Sequence, residues 1–458
     1  MKSFRDLVNS PAFNKNEQVA GLLDLLMKYH PAFDDPDLTE EILCAELFGN
    51  GKYDYFKMKN LISDLLGLGK ELLIFNAFRK DANARELYLL RELAGRGLEQ
   101  MFDAAYRSAE KRLENSAVHD ENYLYHKYRL TDQLMTYNTP KNPNVNFHFH
   151  QETLDLFVDY SNLKKLKIYN VMLHEGNQNN YRYDLTMFRQ VMEHIDSKTS
   201  PDNPTIAVYR DIIRLCLEKN DGNFLKLKST HEKLKGELGI VDDYMAFLHL
   251  DSYCATAYNI HGRTDLLPMQ FELNKIYDMN NLPELGTILY PNFLNFVKIA
   301  SRVNEFEYAE EYIEKYSRNL TSERKNTVDF SCAYIAYRKG EYEKALTLLA
   351  RTNFSNFIIK LQVKLLQLQI NFQLGYYEQV TLMTDSFRHY LSREKMILDI
   401  HRDVILQFLR ITGDMVKQLT DPLPGKRPSV DEIRFQIVKL KTNHFGIKLW
   451  LQEQSTKL

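Results

Sequence analysis

An eight-residue pattern returns twice in the C-terminal half of this 458-residue chain, at a nearly constant interval. Arg302-Val303-Asn304-Glu305-Phe306-Glu307-Tyr308-Ala309 reappears as Arg338-Lys339-Gly340-Glu341-Tyr342-Glu343-Lys344-Ala345. It returns more loosely as Gln373-Leu374-Gly375-Tyr376-Tyr377-Glu378-Gln379-Val380. The step is 36 residues from Phe306 to Tyr342 and 35 from Tyr342 to Tyr377, the length of one helical hairpin with its turn. A lone hairpin cannot bury its own apolar face, so a fixed period of this size implies neighbours stacked into an array. Arrays of this kind usually bind rather than catalyse.

Composition supports an all-α reading. Glycine (18) and proline (13) are scarce, which favours helix over sandwich or barrel. The 59 basic and 61 acidic side chains nearly cancel, so no global charge argues for nucleic acid or an anionic membrane. The 28 tyrosines and 26 phenylalanines are an excess that wedging between helices would absorb. Cys44, Cys216, Cys254 and Cys332 are scattered without a CxxC pair, which reads as buried thiols in a reducing compartment. The opening Met1-Lys2-Ser3-Phe4-Arg5-Asp6 places an acid where a signal peptide needs apolar residues, and no run approaches a membrane span. The expected location is cytoplasmic, with no membrane partner.

The expected layout is a tri-helical domain over 1–80, a long connecting helix over 84–118, a hairpin array over 120–420 and a capping helix over 421–458. The three N-terminal helices cover about Lys15–Tyr29, a segment starting at Asp35-Pro36-Asp37 and ending at Gly49-Asn50-Gly51, and Tyr53–Leu68. Phe56, Leu61, Ile62, Leu65 and Leu66 form the apolar stripe expected on the third. A separate short apolar run, 72–75, follows it. The connecting helix has a candidate break at Gly95-Arg96-Gly97. Beyond it, helices are expected near 150–160, 163–174, 182–196, 204–219, 223–236, 241–260 and 264–278. Breaks are expected at Thr139–Asn144 and at Asp421-Pro422-Leu423-Pro424-Gly425. Ser429-Val430-Asp431-Glu432 reads as a capping box opening the last helix, with Ile433, Ile437 and Leu440 inward and the only tryptophan, Trp450, further on.

A search for chemistry finds no GxGxxG, GxxxxGK[ST], GxSxG or HExxH pattern. Phe147-His148-Phe149-His150 could converge two imidazoles on a metal only if extended, and no acid or cysteine cluster accompanies it, so packed loop histidines are the expected reading. No catalytic residue, metal or cofactor is expected.

The stretch from Thr327 to Leu346 resembles a tetratricopeptide repeat. The resemblance is carried by Ala333, a small residue where helices cross, by Gly340 at the turn, by Tyr342 as the wedge and by Ala345 opening the second helix. Asn304, Phe306 and Ala309 before it, and Gly375, Tyr377 and Val380 after it, repeat the pattern. It covers about residues 287–390, and more loosely 120–420. Gly262, Thr264 and Leu267 could be a further unit, as could Gly222, Phe224 and Leu227, and Ser161, Leu163 and Leu166 an older copy, although the steps lengthen to 40 and 42 residues. The resemblance implies a right-handed α-solenoid whose first helices line an inner face. That stripe would be Lys298 and Arg302, then Tyr334 and Arg338, then Gln369 and Gln373. It either forms a groove for a protein or peptide with acidic groups or is an ordinary solvated helix face. The expected function is a non-enzymatic interaction scaffold.

Residues 15–75 are similar to the tri-helical part of winged-helix domains, which some bacterial transcriptional activators place before helical repeats. That resemblance would offer Lys57, Lys59, Asn60 and Ser63 to DNA. The family's β-hairpin wing has no counterpart in the pattern, and six basic against three acidic residues over 52–80 is a mild charge for DNA contact. A transcriptional regulator is therefore the alternative expectation.

Overall fold

The computed structural model describes residues 2–49, 53–141, 147–179, 181–197, 203–277, 287–394, 397, 399–421 and 428–458. Turn positions 50–51, the second half (142–144) of the 139–144 loop, Pro201 and the break at 422–425 lie outside them. Among the described residues the fold is all-α and rich in helical hairpins, with twenty-two α-helices and no strand. A single isolated bridge pairs Ile288 with Leu320. The chain forms two compact units, Met1–Lys164 and Lys165–Leu458.

The first unit holds α1 (Lys2–Val8), α2 (Glu17–Leu26), α3 (Glu40–Phe48), α4 (Tyr55–Lys80), α5 (Ala82–Gly95), α6 (Glu99–Glu114), α7 (Glu121–Asn138) and the start of α8 (Phe147–Asn179). Polar side chains set the helix starts by accepting an orphan backbone N–H. Asp54 caps α4 through the Lys57 amide, Asp81 caps α5 through that of Ala84, and Asp120 caps α7 through that of Tyr123. Thr39, rather than Asp35, caps α3, and the Asp35 carboxylate closes a turn onto the Asp37 amide instead. One core gathers Val8, Leu22, Leu43, Met58 and Leu61, and a second gathers Leu90, Phe102, Leu113 and Leu130.

Four sequence expectations change here. The run 72–75 continues α4 to Lys80 in place of a separate segment, so helix stands where a wing would be. The buried row of α4 is Met58, Leu61, Leu65 and Leu68, while Phe56, Ile62 and Leu66 are exposed. Segment 84–118 is the hairpin α5–α6, not one helix, because Gly97 takes the left-handed region at φ 67°. Segments 150–160 and 163–174 are one helix, so Ser161, Leu163 and Leu166 sit mid-helix rather than at a hairpin turn.

The second unit continues with α9 (Phe188–Ser197), α10 (Pro204–Leu217), α11 (Asp221–Leu234), α12 (Ile240–His261), α13 (Leu267–Ile276), α14 (Tyr290–Arg302), α15 (Phe306–Tyr316), α16 (Arg324–Lys339) and α17 (Tyr342–Leu349). It ends with α18 (Phe357–Gln373), α19 (Tyr377–Arg393), α20 (Asp399–Thr420), α21 (Val430–Val438) and α22 (Ile447–Ser455). Each helix from α10 to α14 packs on the next, as does each from α14 to α20, and α14 also packs on α16. The final helix expected from Ser429 is two: the capping box opens α21 as read, and the chain turns before α22.

The periodic turns share one construction. Asn304, Gly340 and Gly375 have φ of 65°, 82° and 74°. The next amide in each case, that of Glu305, Glu341 or Tyr376, donates back to the carbonyl of Ala300, Ala336 or Asn371 at 3.0, 2.8 and 3.0 Å. This Schellman closure needs a residue that tolerates left-handed backbone, which glycine and asparagine do. Gly222 differs: it lies inside the first turn of α11. Phe306, Tyr342 and Tyr377 then pack half-buried against the hairpin cores. Ala309, Ala333 and Ala345 are fully buried where helices meet. Ala345→Leu should therefore overpack the α16–α17 crossing and cost about 1–3 kcal/mol, read as a lower midpoint in urea melts. An unchanged midpoint would count against close approach there.

Candidate functional site

The 36- and 35-residue steps put Lys298 on α14, Tyr334 on α16 and Gln369 on α18 in equivalent positions. Together with Arg302 and Arg338 they line one cavity of about 660 Å³ in the second unit. Gln373, half-buried, is not among its lining residues. The stripe is less exposed than a solvated helix face would be: Lys298 and Gln369 are each only 8% accessible.

The geometry around the cations is specific. The Lys298 ammonium donates to Gln362 Oε1 at 2.8 Å. Arg302 donates from Nε to the Tyr334 hydroxyl at 3.2 Å and lays its guanidinium 4.2 Å from the centre of the Tyr258 ring, a cation–π contact. Arg338 is exposed. Burial, with Arg302 adding like charge, pulls the Lys298 amine down to about 7. Glu453 is the one acidic side chain of the lining, against three cations from α14 and α16.

The C-terminal segment supplies the facing wall: His444, Phe445, Gly446, Leu449, Trp450 and Glu453. Asn443, fully buried, anchors it. Its amide donates to Asn259 O at 2.8 Å, its Nδ2 donates to Tyr258 O at 3.0 Å, and its Oδ1 accepts the Leu449 amide at 3.0 Å. Gly446 has φ 76°, a backbone that strains an L side chain, and a Cβ there would lie 2.9 Å from the Tyr258 hydroxyl. Trp450 packs its ring edgewise against Phe372 (5.3 Å) and Phe408 (5.6 Å). His401 and His444 stand with ring centres 4.9 Å apart, and burial holds both below the ordinary histidine value. Sequence reasoning missed this wall. The only available signal was that a lone tryptophan near the chain's end, flanked by Leu449 and Leu451, needs an apolar slot.

Other sequence candidates are not drawn to this site. His148 and His150 fall in the first turn of α8, where helical geometry splays i and i+2 side chains, and His150 Nδ1 lies 3.1 Å from Met135 Sδ. No group of three ligating side chains is assembled for a metal among the described residues. Lys57, Lys59, Asn60 and Ser63 are exposed on α4 in the first unit, with the Lys57 ammonium 3.5 Å over the Phe48 ring. A Cys216–His249 contact at 3.6 Å, unforeseen in the sequence, has the wrong polarity for a nucleophile. Burial pushes the thiol up to about 11 and the imidazole down to about 4, leaving both neutral at pH 7. All four cysteines are free thiols, and no helix among the described residues is long and apolar enough to cross a membrane. No family model matches the chain, and neither a curated protein nor a solved structure matches it.

The buried Lys298 has a consequence for stability. An unfolded lysine keeps its proton up to about 10.5, whereas the folded one releases it near 7. A lowered base is a penalty, present in full below pH 7 and relieved as pH rises toward 10.5. Lys298→Met should therefore gain stability relative to the wild type most at pH 7 and least at pH 10, the gap closing by on the order of a few kcal/mol. Urea midpoints taken across this range measure it. A gap that stays flat with pH would show that the amine is not desolvated.

Proposed function

We propose that this chain is a cytoplasmic, non-enzymatic binding scaffold. Its second unit acts as a tetratricopeptide-like solenoid of helical hairpins, and the inner face receives a protein or peptide bearing acidic groups. The observation that carries this reading is the convergence of Lys298, Arg302, Tyr334, Arg338 and Gln369, from three successive hairpins, on one cavity. Identical Schellman turns at Asn304, Gly340 and Gly375 support the repeat reading, since equal turns hold the first helices of successive hairpins in equal register. Two arginines and a titratable lysine against one acid favour anionic side chains in the bound segment through charge-assisted hydrogen bonds. A helix face built for solvation alone would not place a lysine at 8% exposure facing a cavity.

Fluorescence anisotropy with labelled peptides alternating glutamate and leucine, against glutamine-for-glutamate controls, tests the reading. The acidic peptide should bind, weaken as salt rises, and lose more than about tenfold in affinity in the Arg302→Glu, Arg338→Glu protein, since two charged hydrogen bonds are removed and like charge is added. Equal binding of the glutamine peptide, or an unaffected variant, would sink the proposal.

A further inference from the structure

Some part-buried cations of the second unit meet carboxylates: Lys167 pairs with Asp242 at 2.8 Å and Arg210 with Asp211 at 2.9 Å. Others, such as Arg402, meet only backbone carbonyls among the described residues. In the cavity the partners are neutral side chains. Among the described residues, Lys298 has one neutral hydrogen-bond partner, Gln362, and Arg302 has one, Tyr334. Neither reaches a carboxylate, although a charge taken out of water is stabilised only when paired or well hydrogen-bonded. Two cationic groups of α14 thus border one cavity with bonding capacity left over.

The same cavity is apolar on its C-terminal side, where Phe445, Leu449 and Trp450 line it. Its volume of about 660 Å³ falls within the range of small-molecule sites, roughly 300–1,000 Å³. The bracket formed by Asn443 ties that wall to the end of α12.

We propose that this cavity binds a small molecule carrying a compact oxyanion, a carboxylate or phosphate, on a flat apolar body. Arg302 and Lys298 hold the anion, and Phe445, Leu449 and Trp450 cover the body. This rests on the reading above that the inner face is a binding site, and differs from it in the class of ligand. Arg302 supplies a planar fork of N–H donors suited to either oxyanion. Lys298, its amine pulled down by burial and largely neutral near pH 8, is charged by the arriving anion, so binding takes up a proton. The other titratable or charged groups facing it are Arg302, Arg338, Glu453, His401, His444 and the phenols Tyr258, Tyr334 and Tyr337. The two histidines, held below their ordinary value, stay neutral at that pH.

Titration calorimetry on the full chain at about pH 8, in two buffers of different ionisation heat, tests the inference with 2-naphthoate, 2-naphthyl phosphate and neutral 2-naphthalenemethanol as probes. At least one anion should bind saturably while the alcohol does not, and the preferred anion tells carboxylate from phosphate. Arg302→Gln should weaken it at least tenfold, and Lys298→Met should abolish the buffer-dependent heat. Circular dichroism checks that each variant folds. Should Arg302→Gln fail that check, exposed Arg338→Gln makes the same comparison, with a smaller loss expected. No saturable anion binding, equal binding of the alcohol, or indifference of the variants overturns the proposal. Binding of the acidic peptide with neither naphthyl anion overturns it while leaving the peptide reading standing. The converse supports it and removes the peptide reading.

Discussion

The second unit depends on how closely its helices can approach. Backbones come together only where no side chain intervenes, and Ala300, Ala309, Ala333, Ala336 and Ala345 are the residues at those crossings, all nearly or wholly buried. The left-handed turns at Asn304, Gly340 and Gly375 bring each chain back at the angle that makes the crossing. The half-buried rings of Phe306, Tyr342 and Tyr377 then fill the space the small residues leave at the hairpin's end. Turn, small residue and ring are one device: enlarging an alanine would push the ring out, and straightening the turn would misplace both.

Close packing at the alanines also determines what happens to the stripe. Because α14 packs on α16 and hairpins follow at equal intervals, Lys298, Tyr334 and Gln369 face the same space. An open face would leave these groups in water. Here the segment from Asn443 to Glu453 stands opposite them, held by hydrogen bonds to the backbone carbonyls of Tyr258 and Asn259 in α12, far earlier in sequence. Lysine and arginine are thereby partly desolvated without an internal counter-ion. The cavity's electrostatics follow from that tertiary contact and from no local pattern.

Much of the periodic region was legible. Gly340 and Gly375 announced left-handed turns because few other residues adopt them, and Asn304 could be aligned with them since its short amide side chain tolerates the same backbone. Ser429 and Glu432 announced a helix start that the structure forms with both reciprocal bonds. The first unit was harder. Two apolar rows run along α4, one through Met58, Leu61 and Leu65 and another through Phe56, Ile62 and Leu66, and nothing local says which neighbours will cover. Gly95-Arg96-Gly97 looked like a weak break in one helix but makes a complete turn, because the left-handed backbone sits at the second glycine rather than the first.

The amino-acid order by itself determined the all-α class, the hairpin interval, the turn chemistry and the register of Lys298, Arg302, Tyr334, Arg338 and Gln369. These follow from steric demands within some forty residues of chain, which spacing alone expresses. Only the tertiary structure decided which apolar row of α4 is buried, that α22 follows a turn of its own, and that its tryptophan, with Phe445 and His444, faces the cationic stripe. Those outcomes turn on which surfaces exclude water together, a property of distant segments meeting in space, and no interval along the chain encodes it.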